Sequence, residues 1–247
     1  MNLTTARNVL KEVFGYDQFR PMQEEVIQSV FDKKDALILM PTGGGKSICY
    51  QVPGLSMPGV CLVISPLISL MRDQVEAFKA NGVEAAYLNS SLTAAESREV
   101  EEKLFSKTLD ILYVSPEKAC SQEFFPVLNS LDLNLIAIDE AHCVSNWGHD
   151  FRPEYTRLKF LKKSFPNTPF IALTATADKT TRQDIVKQME MRDPEIFIAS
   201  FDRPNLSLEV RPGRKKLPQI VRWATNRPNQ AGIVYCLSRK STEQVCA

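Results

Sequence analysis

Short blocks of consecutive apolar residues recur along the chain, and between them lie stretches whose apolar positions repeat at helical spacing. The blocks are Ala36–Met40, Val60–Ile64, Ala85–Leu88, Ile111–Val114, Leu135–Ile138, Phe170–Leu173 and Ile196–Ile198. Each has the length and β-branched content of a strand buried on both faces. Residues 3–31 read as helical, with an interruption at Phe14-Gly-Tyr-Asp17 and with Pro21 in the first turn of the second half. A helix follows Ile48 and is expected to break at Pro53, and another runs from Leu67 to about Ala80. Thr93-Ala-Ala-Glu96 is a capping box opening a polar helix, Tyr155–Ser164 reads as one helix, and Asp178 caps a helix to about Met189. Strands alternating with helices in this way predict an α/β fold: a parallel sheet covered by helices on both faces.

Past residue 203 the pattern changes. An alternating strand (Leu206–Val210), a basic turn (Pro212–Lys216), a helix (Leu217–Ala224), a buried strand (Ile233–Leu237) and a helix from Ser241 are expected. Some 45 residues with so few strands bury too little surface to stand alone, so this reads as the start of a second domain, with the chain cut inside it.

Composition changes the picture little. Of 247 residues, 44% are hydrophobic and 24% charged, as in ordinary globular proteins. The formal net charge of +1 provides no global field for nucleic acid, so such binding must rest on local patches and stacking. No apolar run suits a membrane span and the N-terminus lacks a signal core, which predicts a cytoplasmic protein with no membrane partner. The six cysteines show no paired zinc spacing, so reduced thiols and no structural metal are expected.

Two motifs carry chemistry. Met40-Pro-Thr42-Gly43-Gly44-Gly45-Lys46-Ser47 lies between a strand and a helix, where a phosphate-binding loop belongs. Its glycines let backbone amides turn toward phosphates, Lys46 reaches the terminal phosphates and Ser47 ligates Mg2+. Met40 stands where the strict pattern has glycine. The second motif is Asp139-Glu140 at the end of a strand, with His142 close behind. Asp139 suits the Mg2+ and Glu140 suits the attacking water. Directly after it, Trp147, His149, Phe151, Arg152 and Tyr155 crowd one loop, the composition of a stacking surface for single-stranded nucleic acid. The plainer alternative is that Trp147 and Phe151 pack beneath Tyr155. Thr174 and Thr176, ending another strand, either sense the γ-phosphate or cap the next helix. Ser65, Arg72 and Gln74 sit where contacts to a nucleic-acid backbone are expected, unless Ser65-Pro66 is only a turn.

Taken together these residues resemble the RecQ family of superfamily 2 DEAH-box DNA helicases. Met40–Ser47 is similar to motif I, Asp139-Glu-Ala-His142 to motif II, Ser65–Gln74 to motif Ia, Ala172–Ala177 to motif III and Phe14–Gln23 to motif 0. Residues 145–155 resemble the aromatic-rich loop, and Phe201–Leu206 and Ile233–Arg239 also fit the family. The resemblance implies a first RecA-like ATP-binding domain over residues 1–203 and the start of a second over 204–247. It implies ATP and Mg2+ as cofactors, with zinc only in C-terminal parts outside this sequence. Tyr16 would stack on adenine, with Arg20 and Gln23 reading the base. His142 and Thr174 would relay nucleotide state, and His149 would link the ATP and DNA sites. The implied activity is ATP hydrolysis coupled to 3′-to-5′ movement on single-stranded DNA and unwinding of partly duplex DNA, in repair and recombination, in the nucleoid or nucleus. Motifs V and VI are absent from the sequence. An arginine finger contributes about 10³ to 10⁵ in rate in related NTPases, so the chain alone is expected to bind ATP and hydrolyse it poorly. An RNA helicase, a non-catalytic RecA-like lobe and a P-loop kinase are the rival readings.

Overall fold

The computed structural model describes residues 1–147, 150–200 and 206–246, which fall into two compact units, Met1–Asp202 and Arg203–Ala247. The first is built on a seven-stranded parallel sheet. Its strands are β1 (Ala36–Leu39), β2 (Val60–Ile64), β3 (Ala85–Leu88), β4 (Ile111–Val114), β5 (Leu133–Ile138), β6 (Phe170–Thr174) and β7 (Glu195–Ile198). Their spatial order is β3-β4-β2-β5-β6-β1-β7. β1, β2, β4 and β6 are buried at every position, as continuous apolar runs require, whereas the edge strand β7 alternates half-buried and exposed.

Each face of the sheet has its own core. Ile38, Val63, Tyr113, Ala137 and Leu173 pack under Val26 of α2 (Gln23–Phe31), Cys49 of α3 (Ile48–Ser56) and Met71 of α4 (Ile68–Ala80). Leu37, Leu62, Leu112, Ile136 and Ala172 pack on the other face. There they meet α5 (Ala94–Phe105), α6 (Pro116–Ala119), α7 (Phe125–Asn129), α9 (Lys159–Ser164) and α10 (Lys179–Gln188) through Leu104, Ala119, Leu128, Leu161 and Ile185. The expected caps form: Thr93 and Glu96 close a full capping box on α5, and the Asp178 side chain accepts the Thr181 amide on α10.

Four local expectations are corrected. Pro21 lies outside α2, because Met22 takes a left-handed conformation (φ 74°) as its N-cap. The α3 helix runs through Pro53 to Ser56. Eight of its nine residues, all but Leu55, are buried, and that packing outweighs one missing backbone bond; Asn134 Nδ2 takes up the Gly54, Met57 and Gly59 carbonyls just beyond. Residues 155–164 form two short helices, α8 (Pro153–Arg157) and α9, rather than one.

The fourth correction concerns the second unit. It contains α11 (Lys216–Thr225) and α12 (Arg239–Cys246), as expected, but no strand among its described residues. Leu208, Val210 and Tyr235 in the predicted strands are 93%, 98% and 90% exposed. A strand exists only through a ladder to a partner, and this unit supplies none. The Phe201–Asn205 part of the boundary motif lies outside the described residues.

Candidate nucleotide site and its aromatic loop

The strand ends that matter are β1, β6 and β5, adjacent in that order, so the glycine loop and Asp139 emerge about 10 Å apart, two strand spacings, on the carboxyl edge of the sheet. The Met40 amide donates to the Thr174 carbonyl (3.1 Å), fixing where the loop leaves. Gly44 N donates to Pro41 O (2.9 Å), and Gly43 and Gly45 adopt left-handed φ values of 77° and 87°. A Cβ on Gly45 would meet Gln23 Nε2 at 2.4 Å, so a side chain there would have to displace that amide, and the left-handed φ disfavours one in any case. Among the described residues no acceptor takes up the amides of Gly43, Gly45, Lys46 or Ser47. A cradle of unclaimed N–H groups with a lysine beside it fits a polyphosphate. Lys46 Nζ reaches back to the Met40 carbonyl (3.3 Å).

Arg20 and Gln23 hold the loop itself. Arg20 Nη1 donates to the Gly43 carbonyl, Gln23 Nε2 to the Gly45 carbonyl (3.0 Å), and Gln23 Oε1 accepts the Arg20 amide (2.8 Å). The left-handed Met22 points buried Gln23 inward. Tyr16, just after the left-handed Gly15 cap of α1 (Leu3–Phe14), is 54% exposed, and Thr42 lies exposed at the loop's tip.

Asp139 is anchored through its backbone on both sides: its amide donates to Ile64 O (2.8 Å) and its carbonyl accepts the Tyr155 hydroxyl (2.9 Å). Among the described residues its carboxylate accepts only the Glu140 amide (3.0 Å). Burial, and next the charge of Glu140, push the Asp139 carboxyl up to about 6, against the opposing pull of that amide and of Lys46. Lys46 is therefore near enough for its charge to act on Asp139. Glu140 sits in the left-handed region (φ 48°), a strained turn that swings its carboxylate toward His142 Nδ1 (3.3 Å). The same Nδ1 meets Thr174 Oγ1 at 2.9 Å. The Thr174 hydroxyl donates to the Thr176 carbonyl (3.2 Å), so its oxygen accepts from His142 and from the Thr176 amide (3.2 Å). The proton of His142 is thus on Nδ1. Thr174 caps nothing, that role falling to Asp178; Thr176 is exposed.

The aromatic loop leaves a 3-10 turn (Ala141–Val144) and closes back on it through Arg152 N to Cys143 O (2.9 Å). Trp147 is 76% exposed and Phe151 39%, whereas Tyr155 is fully buried. The exposed rings do not pack beneath Tyr155, and Tyr155 is no part of the outward surface. Arg152 forks onto Asp150 Oδ2 (3.3 and 3.1 Å). His149 lies outside the described residues.

Of the motif Ia residues, Arg72 is exposed and paired with Glu76 (3.1 Å). Ser65 is buried at the end of β2 with its hydroxyl unpartnered. Gln74 accepts from Gln51 Nε2 (2.7 Å), which also reaches the Tyr113 hydroxyl (3.1 Å), itself 3.4 Å from that of Tyr50. A buried polar line thus runs from Tyr50 to α4. Sequence reasoning missed it, although a glutamine within the apolar helix Ile48–Ser56 is a signal for one.

Residues 20–185 match the DEAD/DEAH box helicase family. The chain belongs to that family. Within it, the sequence stands with the RecQ helicases. It is 52% identical over 241 residues to the ATP-dependent DNA helicase RecQ of Pasteurella multocida (strain Pm70), covering 98% of this chain and 38% of that protein. It is 45% identical to the RecQ-like DNA helicase BLM of Xenopus laevis, covering 94% of this chain and 18% of that one. The chain thus spans about two-fifths of the length of the bacterial relative. The helicase MrfA shares the fold, with a TM-score of 0.72 at 18% identity, covering 98% of this chain and 39% of that one. Among the described residues no helix is long and apolar enough to cross a membrane.

Proposed function

We propose that this chain supplies the ATP-binding lobe of a RecQ-type DNA helicase, coupling ATP hydrolysis to 3′-to-5′ translocation on single-stranded DNA and to duplex unwinding in repair and recombination. The observation that carries this reading is the hydrogen-bonded line Glu140–His142–Thr174, which joins the acidic end of β5 to the end of β6 beside the glycine cradle. Lys46, Ser47, Asp139 and the amides of Gly43, Gly45, Lys46 and Ser47 would hold Mg2+-ATP, and Tyr16 would cover the adenine. Bound Mg2+ would neutralise phosphate charge. Glu140 would orient water and accept its proton, and any movement of that carboxylate would be felt by His142 and Thr174. Arg20 and Gln23 set the loop's shape through Gly43 and Gly45, so their reading of the base would come with a grip on the phosphates.

The coupler is the loop that begins at Ser145, five residues after Glu140. Trp147 and Phe151 offer exposed faces for stacking on bases, with Arg152, His149, Arg72, Ser65 and Gln74 serving the strand or its signal. RecQ-type DNA specificity is supported by this loop. The test is titration of a non-hydrolysable ATP analogue with Mg2+, and of single-stranded DNA and RNA of one sequence. Lys46→Ala should weaken the nucleotide at least 10-fold. Trp147→Ala should weaken DNA by roughly 5- to 100-fold, the equivalent of about 1–3 kcal/mol of stacking, and leave nucleotide affinity unchanged. Nucleotide binding indifferent to Lys46→Ala would refute the site, and equal preference for RNA would refute the DNA assignment.

A further inference from the structure

Behind the aromatic loop lies a donor cluster that shares His142 with the nucleotide line but draws on its other ring nitrogen. Cys143 Sγ is 3.9 Å from His142 Nε2 and 3.7 Å from Asp150 Oδ2, and one ligand atom from each of the three residues lies within 4.8 Å of the others. Zinc bonds of about 2.0–2.3 Å in a tetrahedron put neighbouring ligand atoms roughly 3.5 Å apart. Two of the three pairs are within a few tenths of an ångström of that. The third can close by rotation of Asp150, whose side chain is 48% exposed.

The histidine is also prepared. With the proton on Nδ1, donated to Glu140 and Thr174, the lone pair is on Nε2, the atom that faces the thiol. A metal-bound imidazole whose other nitrogen donates to a carboxylate is the arrangement that orients such ligands and raises their basicity. We propose that His142 Nε2, Cys143 Sγ and an Asp150 carboxylate oxygen form a three-ligand site for a zinc-class divalent cation. On binding, the cation takes the place of the thiol proton, which passes to solvent. Thiolate and imidazole select such a softer ion over Mg2+, whose place would be the all-oxygen end at Asp139. With three protein ligands the fourth position falls to solvent, so the ion exchanges, unlike one in a closed structural site. Composition gave no hint, because the cluster is not a paired-cysteine motif. Its effect would be mechanical: a cation here ties the turn carrying His142 to the far side of the loop that displays Trp147. Arg152 opposes it by occupying the same Asp150 oxygen.

The site stands or falls independently of the function proposed above. It is tested on the whole chain with Mg2+ in excess, by calorimetry with Zn2+ and by absorption with Co2+. One equivalent of Co2+ should give a thiolate-to-cobalt charge-transfer band. Cys143→Ser should abolish the band and weaken Zn2+ about 100-fold. Asp150→Asn, at an exposed position that the fold tolerates, should weaken it about 10-fold, and Arg152→Gln should tighten it several-fold. Asp139→Asn should change nothing in the band. No band, a band that survives Cys143→Ser, or Zn2+ affinity unaltered by Asp150→Asn would each overturn the proposal; should Cys143→Ser fail to fold, the Asp150→Asn result decides.

Discussion

Two buried aspartates stand at opposite edges of the same sheet. Asp35 precedes β1 on the amino edge, and Asp139 follows β5 on the carboxyl edge. Asp35 is fully served: Lys162 Nζ (2.6 Å) and the Phe170 amide (3.1 Å) on one oxygen, the Arg192 amide (2.8 Å) on the other. Its carbonyl accepts the Glu195 amide (2.9 Å), so one residue ties together the starts of β1, β6 and β7 and helix α9. The Asp139 carboxylate has one amide and a neighbouring like charge. The fold therefore treats the same side chain in two ways. On one edge the charge is consumed in holding the strands together. On the other it is left under-compensated, which is how a site awaiting a cation differs from a structural pair.

Breaking the amino edge should have the largest effect. Asp35→Ala leaves the Lys162 ammonium buried without its partner, and removal of one member of such a pair costs about 3–5 kcal/mol. Urea unfolding should show that loss. The double variant Asp35→Ala/Lys162→Met should recover part of it, because an apolar pair has no charge to desolvate. A loss below about 1 kcal/mol would mean that the pair is solvated and that the two edges are not different in kind.

The carboxyl edge should respond in the opposite direction. The Asp139 carboxyl is raised from 3.8 to about 6, so the folded state holds its proton more tightly than the unfolded chain does. Its contribution to stability is complete below pH 4 and is lost as pH rises through about 6. Asp139→Asn mimics the protonated form and keeps the acceptor for the Glu140 amide. It should stabilise the ligand-free protein at pH 7 by on the order of 2 kcal/mol, with the gain vanishing toward pH 4. The same variant should lose Mg2+-dependent nucleotide affinity. Thermal denaturation of both proteins at pH 4 and pH 7 reads the difference; a variant less stable at both would remove the contrast with Asp35.

How visible each edge is from sequence follows from how local its interactions are. The glycine loop and the Asp139-Glu140 pair are legible because each is a few consecutive residues after an apolar run. The seven strands are legible for the same reason. Their order is not, since β1 lies between β6 and β7, far along the chain. Asp35 and Lys162 are 127 positions apart and read as ordinary surface charges until the sheet brings them together. The limits of pattern show in two near-identical runs: Ile111-Leu-Tyr-Val114 is a buried strand, while Ile233-Val-Tyr-Cys236 has no partner and forms none. Arg20 and Gln23 were found by resemblance, but their hold on the loop carbonyls depends on the left-handed turn at Met22, which a methionine does not announce.

Tyr155 sharpens the comparison at the smallest scale. By position it belongs with Trp147 and Phe151, and composition alone groups the three as one stacking surface. The first turn of α8 instead buries the ring and sends its hydroxyl to the Asp139 carbonyl, which makes it the counterpart, on the carboxyl edge, of what Lys162 does on the other. Tyr155→Phe removes one buried hydrogen bond and keeps the ring, so unfolding free energy should fall by about 1 kcal/mol. Because the ring never faces outward, single-stranded DNA affinity should stay within about twofold, against the roughly 5- to 100-fold loss expected for Trp147→Ala. A Tyr155→Phe variant that kept its stability but lost DNA would put the tyrosine back among the stacking residues, and with it would go the separation between what supports Asp139 and what the loop presents.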